Sequence, residues 1–258
     1  MIWRWIPLIE ADGPTQMALD GWMLRQVADG GGAPLLRLYR WCRPTLSLGV
    51  HQRRLEPHWP ELAAAGVIDI VRRPSGGRAV LHAGELSYAL AMRPATTRRL
   101  EAYDQACRWL REAFAALGQP LRLGRGSARL AGAASSCFAS STGADLVDAS
   151  GVKRIGSAQL WRGPVVLQHG SLPLAPPRGL WRQVFGEEAP SLPSLPCGPD
   201  ALERGLRSAA EHHLCGGALV DGPLTPAEWQ AVQVGRQAYV SPLACIERAT
   251  GARAMPRG

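Results

Sequence analysis

Apolar residues recur along this chain with two different periods, and each change of period marks an element. In TQMALDGWMLRQVAD, over 15–29, Met17, Ala18, Gly21, Trp22 and Leu24 fall near one helical face, and Gly30-Gly31-Gly32 stops the helix. LLRLYRW and TLSLGV then alternate as half-buried strands do, divided by the turn residues Arg43-Pro44. A short helix is predicted near 59–65, followed by three extended segments, IDIVRRP, GRAVLH and ELSYALAM. In the last of these Leu86, Tyr88, Leu90 and Met92 share one side, the period of a strand. Over 97–117 the period is helical again, with Leu100, Tyr103, Ala106, Cys107, Leu110, Phe114 and Leu117 in a stripe that Gly118 closes. Cys107 belongs to that stripe and reads as core.

After LRLG comes a loop of small residues, GSARLAGAASSCFASSTG, and then three strand-like runs, ADLVDA, KRIGSAQLW and PVVLQHGSLPL, the first two joined by a tight turn at Ser150-Gly151. Beyond Pro173 the chain is proline-rich to about Pro199, and two helical segments, DALERGLRSAAEHHL and TPAEWQAVQVGRQAYV, end the pattern. Strands in runs, broken by a few helices, predict an α+β fold with a mainly antiparallel or mixed sheet and flanking helices rather than a doubly wound one. Residues 1–198 are expected to form the principal domain and 199–258 a small helical cap packed on it. The apolar start, MIWRWIPLIEADG, breaks at Pro7 and Glu10, too short for a signal peptide, and no run of about 18 apolar residues follows. The expectation is a cytoplasmic protein without a membrane segment.

Composition sharpens this picture at one residue. The 258 residues include 29 Lys plus Arg, of which Lys153 is the single lysine, and no asparagine. A coding bias against A-rich codons explains both shortages. Under it a surface lysine drifts to arginine, so the survivor invites a role that needs a compact ammonium rather than an always-charged fork. The formal charge of +8 favours acidic partners, but pairs such as Arg53-Arg54, Arg72-Arg73 and Arg98-Arg99 are scattered, and no basic run specifies a nucleic-acid reader. The six cysteines, irregularly spaced and without CxxC pairs, give neither a disulfide scaffold nor a zinc site, so no metal is expected.

Three stretches can carry chemistry. In RRPSGGRAVLH a Ser-Gly-Gly turn lets backbone N–H groups approach a ligand, and flanking arginines suit a carboxylate or phosphate; as a bare pattern it is more often an ordinary turn, and it lacks the closing residues of a Walker loop. Cys137 lies in the small-residue loop with no apolar period to make it core, so it is a candidate nucleophile or an inert surface thiol. In KRIGSAQLWRGPVVLQHGS the small Gly156, Ser157 and Ala158 suit a close approach to a strand, and His169 stands where the strand pattern weakens, a place where histidine is more often structural than catalytic.

Together and in this order, RRPSGGRAVLH, GELSYAL, CFASSTGADLV and GVKRIGSAQLWRGPVVLQHGSLPL resemble the lipoate/biotin A/B protein ligase superfamily, most closely its cysteine-dependent octanoyltransferase branch. MALDGWML and LLRLYRWCRPTLSLGVHQ resemble that family's opening helix and strand pair, so the likeness runs over about 15–174. The resemblance implies the lipoate/biotin protein ligase fold, akin to class II synthetases, and a role in lipoate biosynthesis and protein lipoylation. An octanoyl or lipoyl group would pass from an acyl carrier protein thioester to Cys137, and then to the lysine amine of a lipoyl-carrier domain, such as glycine cleavage H protein or a 2-oxoacid dehydrogenase E2. Matching the family's Lys-x-x-Gly-Ser-Ala-Gln, Lys153 would stand beside the acyl carbonyl, while Arg73, Ser75, Gly76, Gly77 and His82 would line the acyl pocket and Gly156, Gln159 and His169 support its wall. No nucleic acid, membrane, metal or cofactor is implied. ATP and Mg would enter only if the chain were a lipoate ligase, where the glycine turn usually carries a third glycine in the place of Arg78. A biotin ligase is disfavoured because GRGSARL lies in the wrong place for its arginine-glycine loop, and a non-catalytic binder of the same partners because nucleophile and ammonium are both present.

Overall fold

The computed structural model describes residues 1–124, 143 and 145–240. Its centre is an eight-stranded mixed sheet in the order β11-β1-β2-β6-β10-β9-β8-β7. The strands are β1 (Trp3–Ala11), β2 (Leu35–Trp41), β6 (Glu85–Met92), β7 (Arg122–Leu123), β8 (Leu146–Val147), β9 (Lys153–Arg162), β10 (Val165–Pro173) and β11 (Leu219–Asp221). Pairing is antiparallel from β2 through β6, β10, β9 and β8 to β7, and parallel where β1 meets β2 and β11. A second sheet, β4-β3-β5, is made of β3 (Thr45–Leu48), β4 (Asp69–Arg72) and β5 (Val80–His82).

Period two sorts the side chains of the large sheet onto two helical layers. On one face Leu36, Leu38, Leu86, Tyr88 and Leu90 pack beneath α3 (Arg99–Ala116) and α5 (Pro199–His213) with Trp109, Leu110, Phe114 and Leu206. Cys107 is fully buried in this layer, as its place in the helical stripe predicts. On the other face β6 offers Glu85 at its start and then the small Ser87, Ala89 and Ala91, and these small residues let α1 (Gly13–Asp29) lie close to the sheet. There α1 meets α6 (Pro226–Arg236) on one side and β4 on the other, which leaves it buried nearly all round. Asp12 caps α1, its Oδ1 accepting from Thr15 N at 3.0 Å, and Pro14 occupies the first turn.

The small sheet packs with α2 (His58–Ala64) and α4 (Arg178–Phe185) around Trp59, Ile70, Trp181 and Phe185. The helix α4 lies inside the stretch whose prolines suggested only irregular chain; Pro177 precedes it, and Gly186 at φ 71° ends it in the left-handed region. The segment 199–240 contributes an edge strand as well as helices: β11 pairs with β1, α5 packs on α3 and α6 on α1. Arg4 fixes this arrangement, donating to both oxygens of Glu228 at 2.7 and 2.8 Å and to the carbonyls of Gly222 and Pro223. Arg236 reaches Asp12 Oδ2 at 2.5 Å. Among the described residues no helix is long and apolar enough to cross a membrane.

Candidate active site

Between the large sheet, the small sheet and the first turns of α1 lies a pocket of about 290 Å³. Its walls carry Tyr39 and Trp41 from β2, Ser47 from β3, His82 from β5, His169 and Ser171 from β10, and Gly156, Ser157 and Ala158 from β9. Met17 of α1 and the turn residues Gly76, Gly77 and Arg78 complete it, and Asp145, just before β8, stands at its β9 end.

The glycine turn is built to approach closely. A Cβ on Gly49 would lie 2.0 Å from the carbonyl oxygen of Gly77, and Gly77 itself sits at φ 102°. Both positions therefore require glycine. The turn is held from within: Arg73 donates to Gly76 O at 2.8 Å, Arg78 O at 2.7 Å and Ser47 O at 2.8 Å. Arg73 lines the pocket while these donors serve carbonyls of the turn and of β3.

Two buried carboxylate–histidine–serine chains flank the pocket. In one, Arg37 Nη2 donates to Asp20 Oδ1 at 2.6 Å, Asp20 Oδ2 accepts from His169 Nδ1 at 2.6 Å, and His169 Nε2 meets Ser75 Oγ at 2.5 Å. Burial, the largest influence on the Asp20 carboxyl, pushes it up, but Arg37 and His169 together outweigh it and hold the group below the usual carboxylate range. In the other, Glu85 Oε1 accepts from His82 Nδ1 at 2.7 Å and from Ser87 Oγ at 2.6 Å, its second oxygen accepts from Ser171, and His82 Nε2 meets Ser47 Oγ at 2.7 Å. Ser47 Oγ also accepts from Arg73 at 3.2 Å, which ties this chain to the glycine turn. Trp41 stacks on His82, centroids 4.0 Å apart at 14°, and its Nε1 donates to Ser87 Oγ at 3.0 Å.

Lys153 is buried and its Nζ lies 3.0 Å from Asp145 Oδ1. A β-bulge aims it. One step along β8, from Leu146 to Val147, spans two along β9, from Ile155 to Lys153, which makes Arg154 the extra residue. The Arg154 guanidinium lies 5.7 Å from the centroid of the Phe114 ring, in the same layer as Ile155, and the interrupted alternation leaves Lys153 to meet Asp145 at the pocket.

Of the residues singled out in the sequence, the structure thus brings Arg73, Gly76, Gly77, His82, Gly156 and His169 to one pocket. Ser75 stands behind the wall against His169, and Lys153 behind Asp145. Gln159 lies off the pocket, donating to Gln168 at 2.8 Å and accepting from Trp161 at 3.1 Å. Cys137 lies outside the described residues. The described cysteines Cys42, Cys107, Cys197 and Cys215 are all off the pocket, and burial pushes the thiols of Cys107 and Cys215 up to about 12. Sequence reasoning missed Asp20, Ser47, Glu85 and Asp145. The available signal was a charge inside an apolar period, Asp20 in the stripe of α1 and Arg37 within LLRLYRW.

A family model described as the lipoyl protein ligase A/B catalytic domain matches residues 12–187. Among curated proteins, one named Octanoyltransferase LipM from Carboxydothermus hydrogenoformans is 37% identical over 175 residues, 66% of this chain and 64% of its own length. Another of that name, from Kyrpidia tusciae, is 33% identical over 258 residues, 90% of this chain and 93% of its own. Among solved structures, a lipoate-protein ligase A bound with ATP superposes with a TM-score of 0.73 at 18% identity, covering 92% of this chain and 95% of that one. A bipartite lipoate protein ligase from Thermoplasma acidophilum, from a study that includes its E2 lipoyl domain, gives 0.71 at 16% identity, covering 100% of each. At those identities the likeness is one of fold.

Proposed function

Since the chain belongs to the lipoyl protein ligase A/B catalytic family, we propose that it transfers an octanoyl group from an acyl carrier protein thioester to the lysine amine of a lipoyl-carrier domain, by way of Cys137. The observation that carries this reading is the buried Lys153–Asp145 pair at the end of a pocket lined by the glycine turn. The relatives named for octanoyl transfer support the acyl group.

In the first step the Cys137 thiolate attacks the thioester carbonyl, the carbon–sulfur bond to the donor breaks, and the departing thiolate takes up a proton. In the second, the neutral acceptor amine attacks the acyl-cysteine, the bond to Cys137 breaks, and the nitrogen's surplus proton leaves with the sulfur as a thiol. Both steps develop negative charge on the carbonyl oxygen. The Lys153 ammonium supplies a fixed countercharge in a site where water does not compete, held in place by Asp145. The same ammonium favours the thiolate form of a neighbouring cysteine. The acceptor is a lipoyl domain such as that of H protein or an E2 component, and the net charge of +8 suits acidic partners.

The reading needs no ATP, and that decides the test. The protein is incubated with octanoyl-acyl carrier protein and an apo lipoyl domain. Acceptor octanoylation without ATP, with an octanoyl mass shift on the wild type and none on Cys137→Ala, supports the transferase. An acceptor left unmodified there but lipoylated with lipoate and ATP establishes the ligase instead, and binding without transfer in either mixture establishes a carrier-domain binder.

A further inference from the structure

Met17 is 1% exposed, yet it packs into none of the three apolar clusters of the fold; its side chain belongs to the pocket wall. Its neighbours in α1 fix where along the pocket it stands. A Cβ on Gly13, one turn earlier on the same face of α1 as Met17, would meet Val71, Thr45 and, at 3.5 Å, Trp41 of β2, whereas Asp20, further along α1, bonds to His169 on β10. Met17 therefore stands at the β2 side, with Tyr39 and Trp41, while Lys153 and Asp145 mark the opposite end at β9 and β8.

From β9 through β10 and β6 to β2 is three strand spacings, about 14 Å. An extended eight-carbon chain advances about 1.3 Å per carbon, roughly 9 Å in all, from carbon–carbon bonds of about 1.5 Å. An acyl group whose carbonyl sits at the Lys153 end thus runs about two spacings and ends short of β2, where the Met17 thioether fills the remaining depth. Behind Met17 the wall is rigid: Tyr39 is buried beside Arg37, whose guanidinium lies 3.9 Å from the ring centroid, and Trp41 is fixed by its stack on His82 and its bond to Ser87. A flexible, unbranched side chain before aromatic walls is the removable part of the floor.

We infer that Met17 is the specificity-determining residue for acyl length, the stop against which the methyl end of the chain rests. This rests on the acyl-transfer reading of the same pocket. The experiment uses the full chain and Met17→Ala and Met17→Phe variants, with hexanoyl, octanoyl, decanoyl and dodecanoyl carrier protein in competition. In parallel, thermal stabilisation by the free fatty acids of the same lengths is measured. Met17→Ala is expected to raise the decanoyl-to-octanoyl ratio about tenfold and Met17→Phe to move the optimum to hexanoyl, since one methylene in a pocket is worth about tenfold or more in discrimination. Folded variants that keep the wild-type ratio in both measurements overturn the inference, and so does a wild type stabilised equally by every length. If no transfer occurs with any donor while stabilisation still shifts with Met17, the reaction assigned to the pocket fails and the length stop stands.

Discussion

Asp20 carries its charge at a position with no exposed surface, and its two partners, Arg37 and His169, come from separate stretches of chain. Arg37 shares that burial and also has a buried Nε without a hydrogen-bond partner, so Asp20 is its compensating charge. Removing one member of such a pair strands the other. Asp20→Ala is expected to cost about 3–5 kcal/mol, read as a fall in the urea midpoint, and an added Arg37→Met should restore much of the loss. At Lys153 the chemistry differs from the packing. Under the proposed reading Lys153→Arg keeps a cation but widens it into a fork, and transfer should fall about a hundredfold, equivalent to roughly 3 kcal/mol in the barrier, while the urea midpoint moves much less. The glycine turn and Lys153 were legible because each breaks a local pattern, a doubled glycine and a lone lysine; His82 and His169 came from the family resemblance, and His169 stands in the middle of β10 rather than where the strand weakens. Asp20, Ser47 and Glu85 were not legible, because what makes them part of the site is a contact across the fold. Asp20 and His169 lie 149 residues apart in sequence.

At the scale of elements, the alternation in KRIGSAQLW was legible and the bulge within it was not. No glycine or proline marks Arg154, and its side chain settles over Phe114 through packing that only the assembled layer supplies. Arg154 donates to Pro193 O at 2.9 Å, its Nη2 is buried without a partner, and burial pulls its pKa below the ordinary value. Arg154→Met should therefore leave stability within about 1 kcal/mol and transfer intact, since replacing a poorly satisfied buried cation by an apolar chain of similar bulk is often neutral. Deleting residue 154 removes the extra residue and makes Lys153 the direct neighbour of Ile155, on the opposite face and still across from Val147, so transfer should persist while circular dichroism still reports a folded protein; loss of transfer would show that the bulge itself shapes the site. The two measurements separate the side chain from the register. The helix α4 and strand β11 escaped for a related reason: each is short and flanked by proline or glycine, and each exists through what it packs against.

For the molecule as a whole, the segment 199–240 is joined to the large sheet through its charges. The hydrogen bond from Arg4 is the main reason the Glu228 carboxyl falls from the ordinary value of 4.5 to about 2. A carboxyl depressed on folding contributes fully above its unfolded value, and that contribution is lost as the pH falls through the folded one. Between pH 4.5 and 2 the wild type should lose melting temperature more steeply than Glu228→Gln, which keeps a glutamine able to serve the cap at Thr225. Equal slopes would show that the Arg4 pair does not couple the segment to the sheet. The α+β class was legible at this scale because strands came in runs. The order of the strands was not, since pattern alone does not say which edge a distant strand will join.

That order governs how the protein can be born. The backbone N–H of Trp3 bonds to Ala218 O at 2.7 Å, and β1 completes its outer edge only with Leu219 to Asp221. At about 5–20 residues per second, a ribosome needs roughly 10–40 s between making the first of these residues and the last. For that interval the nascent chain carries an open, tryptophan-bearing edge, which stays unpaired on that side until translation delivers the closing strand.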